Sequence, residues 1–452
     1  MLSVEDVRDA LGNQLLDERP GSATVFSGVS NDSRTLRPGE LFVALSTEVR
    51  DGHDFVAAAI AAGAAGIVAH REVEAPAEVS VFRVKNSQTA LGNLAAHWRN
   101  RFDVKCIVVT GNVGKTTTKE LCAALLSNRY RVLKSPANFN DEIGLSMTLF
   151  QLTEVHERAV LEVGMFGLGE IARMCEIARP EIGVVMNVGP THLERLGSLE
   201  AIARAKAEAI ESLPATGTAI LNADDPFVSK MGGGTRARVL TFGVDSPADI
   251  RASAIRSLGL GGVDFDVSMG GRTLSGHSPL PGVALVSNAL AAIAVAVSDG
   301  LSLEEGVSAL RTAEAPARMQ VKTAKSGAII LDDCYNASPA STLSALSVLA
   351  ETPGRRIALL GDMLELGAAE EQGHRDVGRR AAEVADLIFA VGPRGLLIAE
   401  AAQEAGAREV CYLASKEDAS PAIKRQLREG DVLLIKASHG VALESVVVEL
   451  TE

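Results

Sequence analysis

Thr110-Gly111-Asn112-Val113-Gly114-Lys115-Thr116-Thr117-Thr118 places two glycines, a lysine and a run of hydroxyls between the apolar stretch Cys106-Ile107-Val108-Val109 and the helical pattern Leu121, Cys122, Leu125, Leu126. In that order these residues make a phosphate cradle. Glycines let backbone N–H groups turn inward around polyphosphate oxygens, and the following helix presents its positive end. Lys115 supplies a mobile cation, and the Thr116 hydroxyl can hold magnesium. Two residues rather than four separate Gly111 from Gly114, a departure from the usual phosphate-loop spacing.

Other polar residues stand where apolar runs end. Glu162 closes one such run and faces either solvent or a bound cation. His192 follows Asn187-Val188-Gly189-Pro190-Thr191 and draws its value from lying at the same sheet edge. Lys206 interrupts an apolar helical stripe of Leu199, Ile202, Ile210 and Leu213. Its stem either snorkels outward, or its amine is desolvated and chemically useful. A neutral amine of that kind can take up carbon dioxide as a carbamate, a metal-binding anion. Asn222 opens a segment for which a plain turn suffices, Arg318 follows Pro316 and could swing onto phosphate, and Asp332 or Asp333 could bind ribose hydroxyls or simply make a turn.

Short apolar runs alternating with helical patterns must carry these groups, which predicts an α/β chain of parallel sheets covered by helices. The expected strands are 40–45, 66–69, 106–110, 159–163, 182–187, 219–222 and 239–242, then 329–332, 357–360, 387–391 and 432–436. A glycine-rich stretch from Asp249 to Pro281 reads as a small antiparallel excursion, and a helix is expected over 288–297. A hinge at Glu314-Ala315-Pro316-Ala317-Arg318 divides the last block from the second. The 452 residues exceed one ordinary core and suggest three domains, over 1–84, 85–313 and 314–452.

The formal charge of -13, with no Lys/Arg block longer than a pair, excludes wrapping of nucleic acid. It leaves an anionic substrate open, because loops, helix ends and metal ions set local field. Five scattered cysteines, at 106, 122, 175, 334 and 411, read as free thiols in a reducing cytoplasm. The start Met1-Leu2-Ser3-Val4-Glu5-Asp6 lacks the pattern of a secretory signal, and the weakly polar run 55–69 is too short to insert in a membrane. The expectation is a cytoplasmic monomer.

Several strings, in order, carry a resemblance: Asn31-Asp32-Ser33-Arg34, Gly39-Glu40-Leu41-Phe42-Val43-Ala44-Leu45, Asp51-Gly52-His53-Asp54-Phe55, Asn138-Phe139-Asn140, Glu162-Val163-Gly164-Met165, Asp333-Cys334-Tyr335-Asn336-Ala337 and Gly361-Asp362-Met363-Leu364-Glu365-Leu366-Gly367. Over essentially its whole length the chain resembles the Mur ligase family, ATP-dependent enzymes that build the peptide stem of bacterial cell-wall precursor. The resemblance implies a central P-loop parallel-sheet ATPase, flanked by an N-terminal UDP-substrate domain and a C-terminal Rossmann-like domain for the incoming amine. It is strongest to the branch that joins D-alanyl-D-alanine to UDP-N-acetylmuramoyl-tripeptide through an acyl phosphate. Addition of the third amino acid, or a nucleotide-binding scaffold without catalysis, are the alternatives.

Carried over by matching motifs, Gly111, Asn112, Val113, Gly114, Lys115, Thr116 and Thr117 would cradle ATP. Asn288 would lie near adenine, Asp333 on ribose and Arg318 on phosphate. Two magnesium ions are implied, one on Thr116 and Glu162, the other on His192 and the Lys206 carbamate. Ser33, Arg34, Asn138 and Asn140 would face the UDP-muramoyl peptide, with Tyr335, Asn336, Glu365 and Ser438 on the dipeptide side. The chain departs from the family's usual residues at Ser46, Thr47, Asn112, Asp141, Ala284 and His439.

Overall fold

The computed structural model describes residues 1–47, 50–136, 139–190, 193–314 and 319–451. Three larger sheets organise them, together with a two-stranded pair near the N-terminus. The first runs Leu15–Arg19, Ser80–Val84, Gly66–Ala69, Leu41–Val43, Val29–Ser30 and is parallel except at its first strand. Leu41, Phe42 and Val43 are buried on both faces, as expected of an interior parallel strand.

The central sheet has nine strands, ordered Arg272–Ser278, Val263–Met269, Ile250–Ser257, Arg238–Gly243, Thr218–Asn222, Ile182–Val185, Lys105–Thr110, Arg158–Glu162, Val132–Lys134. The last seven in this order pair in parallel. The glycine-rich stretch is antiparallel within itself, as anticipated. It is not a separate excursion, however, because Phe242 pairs in parallel with Ile250 and the hairpins extend the sheet.

A third sheet runs Gln320–Thr323, Ile329–Asp332, Asp431–Lys436, Arg355–Gly361, Leu387–Val391, Val410–Leu413, parallel but for its first strand. Edge strands escape sequence reading for a physical reason. Leu15–Arg19 and Gln320–Thr323 are half-exposed and polar, so neither offers an unbroken apolar run.

Two helices set the central site. Lys115–Leu126 follows the strand Lys105–Thr110, and Val286–Ser298 packs against it, burying every residue from Asn288 to Ala296. Alanine at 289, 291, 292, 294 and 296 allows the two axes to come close. The far end of Val286–Ser298 is anchored by Asp299, whose side chain is wholly buried. Its oxygens meet Lys105 Nζ at 2.8 Å and Arg158 Nε at 2.5 Å, at the first residues of two neighbouring strands. Arg158 also stacks on Tyr130, 3.8 Å from the ring centre. Among the described residues no helix is long and apolar enough to cross a membrane.

Asp299→Ala is expected to leave Lys105 and Arg158 without their carboxylate and to cost about 3–5 kcal/mol. Chemical denaturation would show the loss as an earlier midpoint. An unchanged midpoint would mean that the pair contributes nothing to holding the helix.

Candidate active site

The strand Lys105–Thr110 ends at the sheet's carboxyl edge, and its neighbours bring their own terminal groups there. Glu162 lies opposite Val109, and Val185 opposite Thr110 on the other side. Ligands of open parallel sheets lie beyond this edge.

The loop between strand and helix is pinned from two sides by asparagines. Asn187 Oδ1 accepts the backbone N–H groups of Asn112 and Val113, both at 2.9 Å, while its Nδ2 donates to the Val113 carbonyl. Asn288 Nδ2 donates to the Gly114 carbonyl at 2.9 Å and to Thr118 Oγ1 at 2.8 Å. Gly114 has φ +88°, and a Cβ there would stand 2.5 Å from that amide nitrogen. Glycine is required both by the left-handed backbone and by the close approach. Lys115 Nζ folds back onto the carbonyls of Gly111 and Asn112, at 2.9 and 3.3 Å.

Three cavities open around this loop. One of about 590 Å³ lies between the central sheet and the C-terminal block. Asn112, Val113, Gly114, Thr117, Asn288 and Asp333 line it, with much apolar surface from Met186, Leu285, Val348 and Pro339. Apolar walls beside such a loop can take the faces of a purine. A second cavity, about 660 Å³, is lined by Gly111, Asn112, Lys115, Asn140, Lys206, Asn336 and Glu365. A third, about 210 Å³, includes Asn112, Val113, Asn336, Glu365, Ser438 and His439.

Lys206, on the helix Leu199–Glu211, is buried and opens into the same cavity as Lys115. Burial, and then the positive charge of Lys115, push its amine well below the ordinary lysine range. Of the two readings left open by its helical stripe, the desolvated amine is the one observed.

Glu162 is 1% exposed. Its Oε1 accepts from Asn140 Nδ2 at 3.0 Å, while its Oε2 has no hydrogen-bond partner among the described residues. Lys119 Nζ stands 4.0 Å from it, pairing more closely with Glu120 at 3.0 Å and donating to the Ser135 carbonyl at 2.8 Å. An orphaned buried carboxylate oxygen is costly unless something binds it. Thr116, also buried, supplies a hydroxyl on the first turn of the neighbouring helix. Hard oxygen donors of this kind fit a divalent cation such as magnesium. Among the described residues no three His, Cys, Asp or Glu side chains converge as a metal cluster.

His192, Asn138 and Arg318 lie outside the described residues. Asp333 reaches the first cavity already paired, its Oδ2 2.5 Å from the fully buried Lys436 Nζ. Tyr335 lines none of the three cavities, and neither do Ser33 and Arg34. Arg34 forks onto Asp32 through Nε and Nη2, at 2.9 and 2.6 Å. These bonds hold the Asp32 carboxyl down at about 2.

Three polar residues were passed over by sequence reasoning. Asn187 offered the same signal as Glu162, a polar group just beyond a central strand. Lys119 stands one helical turn after Lys115, and Lys436 ends the apolar run Val432-Leu433-Leu434-Ile435. A lysine at such a place signals a buried charge only when its partners are known: Glu120 and Ser135 for Lys119, and the remote Asp333 and Asn336 for Lys436.

The chain matches three family descriptions in succession: Mur ligase family, catalytic domain, over residues 25–99; Mur ligase middle domain over 109–296; and Mur ligase, glutamate ligase domain, over 317–439. A UDP-N-acetylmuramoyl-tripeptide--D-alanyl-D-alanine ligase of Synechocystis is 38% identical, covering 99% of this chain and 97% of that protein. The Bacillus subtilis protein of the same name is 36% identical with the same coverage. A crystal structure of MurF from Acinetobacter baumannii superposes with a TM-score of 0.89 at 30% identity, covering 99% of this chain and 98% of that one. The MurF ligase of Thermotoga maritima in complex with ADP gives 0.82 at 29% identity, covering 94% and 96%. With full-length identity at this level and a phosphate loop at the edge of its central sheet, the chain belongs to the Mur ligase family.

Proposed function

We propose that this protein is an ATP-dependent ligase that joins D-alanyl-D-alanine to UDP-N-acetylmuramoyl-tripeptide in peptidoglycan precursor synthesis, acting in the cytoplasm. The observation that carries the reading is the second cavity. There the phosphate-loop lysine and the buried Lys206 share one space with Asn336 and Glu365 from the C-terminal block. An acid activated at one wall can meet an amine held at the other, with water displaced as the space fills.

In this reading residues 1–84 bind the UDP-muramoyl peptide through Ser33 and Arg34, and Asn138 and Asn140 bind it from the central block. Residues 85–313 hold ATP, and 314–452 the dipeptide. The adenine lies beside Asn288, the ribose on Asp333, and the phosphates on the backbone of 111–117 with Arg318. Lys115 leaves its own loop carbonyls and turns to the transferring phosphoryl group. Its charge then follows the negative charge from ATP to the acyl phosphate. Tyr335, Asn336, Glu365 and Ser438 orient the dipeptide.

Thr116 with Glu162 would hold one magnesium ion, and His192 with Lys206 as its carbamate the second. Bound there, the ions would supply positive charge against the gathered phosphate and carboxylate oxygens. The desolvated Lys206 amine supports the carbamate, because only an uncharged amine has the lone pair that attacks carbon dioxide. The orphaned Glu162 Oε2 supports a cation at that place.

Purified protein given ATP, magnesium, UDP-muramoyl tripeptide and D-alanyl-D-alanine should release one phosphate for each pentapeptide seen by mass spectrometry. Absence of that product at saturating substrate would overturn the assignment. Lys206→Ala is expected to lower the rate by about 100-fold or more, and short carboxylic acids should restore part of it. A variant with the wild-type rate would make Lys206 a packing residue only. Asn187→Ala removes the side-chain acceptor of the Asn112 and Val113 N–H groups and the donor to the Val113 carbonyl, leaving Asn112 its backbone bond to the residue 187 carbonyl. It should weaken ADP binding by roughly tenfold in calorimetry, on the order of 1–3 kcal/mol for a lost buried acceptor.

A further inference from the structure

Glu365 has φ +63°, a left-handed backbone that a side chain bearing a Cβ seldom adopts. Its loop is held there by buried groups on every side. Asp362 Oδ1 accepts the N–H groups of Arg394 and Gly395, at 2.9 and 3.0 Å. His374 Nε2 accepts from Met363 N at 2.9 Å, its Nδ1 being engaged 2.6 Å from the Glu370 carbonyl. Ser438 Oγ accepts from Leu364 N at 2.9 Å and donates to the Ala337 carbonyl. Strain kept in place by so many anchors marks a residue whose position matters more than its local comfort.

That position is the junction of two cavities. Asn112, Asn336 and Glu365 line both the larger cavity, with Lys115 and Lys206, and the smaller one, with Ser438 and His439. Of these three shared residues only Glu365 can take a proton. An incoming α-amine is mostly an ammonium near neutral pH and cannot attack until it loses one.

We propose that Glu365 is a catalytic carboxylate that pairs with the incoming ammonium where the cavities meet and accepts its first proton. This role rests on the ligase reading above. The N–H bond breaks with its electron pair left on nitrogen, and the proton passes to a Glu365 oxygen. The nitrogen pair forms the C–N bond at the acyl-phosphate carbon while the carbonyl pair moves to oxygen. As that pair returns, the C–O bond breaks toward phosphate. The second nitrogen proton goes to the departing phosphate, and Glu365 releases its proton to water. The other charged groups facing these cavities are Lys115, Lys206 and Arg173 against Asp141, Glu142 and Glu170, with His439 in the smaller one.

The test compares two nucleophiles on the full-length enzyme with ATP, magnesium and UDP-muramoyl tripeptide. D-alanyl-D-alanine must be deprotonated, whereas hydroxylamine is already largely uncharged near neutral pH and traps the acyl phosphate as a hydroxamate. Glu365→Gln should lower kcat for the dipeptide about 100-fold near neutral pH, with the deficit shrinking as pH rises, while hydroxamate formation stays within about threefold of wild type. Glu365→Gly should show the same loss with a thermal midpoint unchanged or raised, because glycine accepts the left-handed backbone. Dipeptide ligation by Glu365→Gln within about threefold of wild type would overturn the role. So would a parallel fall of peptide and hydroxamate, which would place Glu365 in acid activation or folding. A wild-type enzyme that makes hydroxamate but no peptide overturns the dipeptide reading itself, and this role with it.

Discussion

Two amines face one cavity. Lys115, half-buried, comes from the loop after the strand Lys105–Thr110 and Lys206, buried, from the helix Leu199–Glu211, so little solvent screens the one from the other. The consequence is visible at Lys206, whose amine is driven toward its neutral form by burial and by the Lys115 charge. The cavity places Lys115 and Arg173 as local cations among the carboxylates of Asp141, Glu142, Glu170 and Glu365.

Two asparagines join the Lys115 ammonium in keeping the loop in place. Asn187 takes the N–H groups of Asn112 and Val113 and the Val113 carbonyl, and Asn288 takes the Gly114 carbonyl. Their amides offer a donor and an acceptor each, so one side chain can bind both an N–H and a carbonyl of the same loop, as Asn187 does at Val113. Asn288 in turn depends on its helix, which is fastened by Asp299 at the opposite end of the sheet. A line of rigid contacts therefore runs from a structural ion pair through a packed helix to the phosphate loop.

The C-terminal block contributes in a different manner. Its third sheet brings no phosphate loop of its own, yet the segment from Asp333 to Ser341 borders all three cavities. Lys436, buried beneath it, neutralises Asp333 and also donates to the Asn336 carbonyl at 2.8 Å. One lysine thus ties the Asp333 carboxylate, on the first cavity, to the backbone that carries Asn336, on the other two.

Much of this could be read from residues alone. Strands such as Lys105–Thr110 and Leu387–Val391 are long apolar runs between helical patterns, and their burial on both faces leaves little room for another reading. The phosphate loop is equally legible, because its chemistry is local: glycine, lysine and threonine act through the backbone that joins them. What required tertiary structure was every property that depends on a distant partner. Whether Lys206 snorkels or is desolvated depends on how its helix lies against the sheet. That Asn187 and Asn288 grip the loop, that Asn140 takes one Glu162 oxygen and leaves the other without a hydrogen bond, and that Lys436 sits under Asp333 all involve pairs separated by between 20 and 180 positions, roughly, for which neighbouring residues carry no signal. The strained backbone at Glu365 is of the same kind, since it exists only because His374, Ser438 and the helix at Arg394 hold the loop from three directions at once.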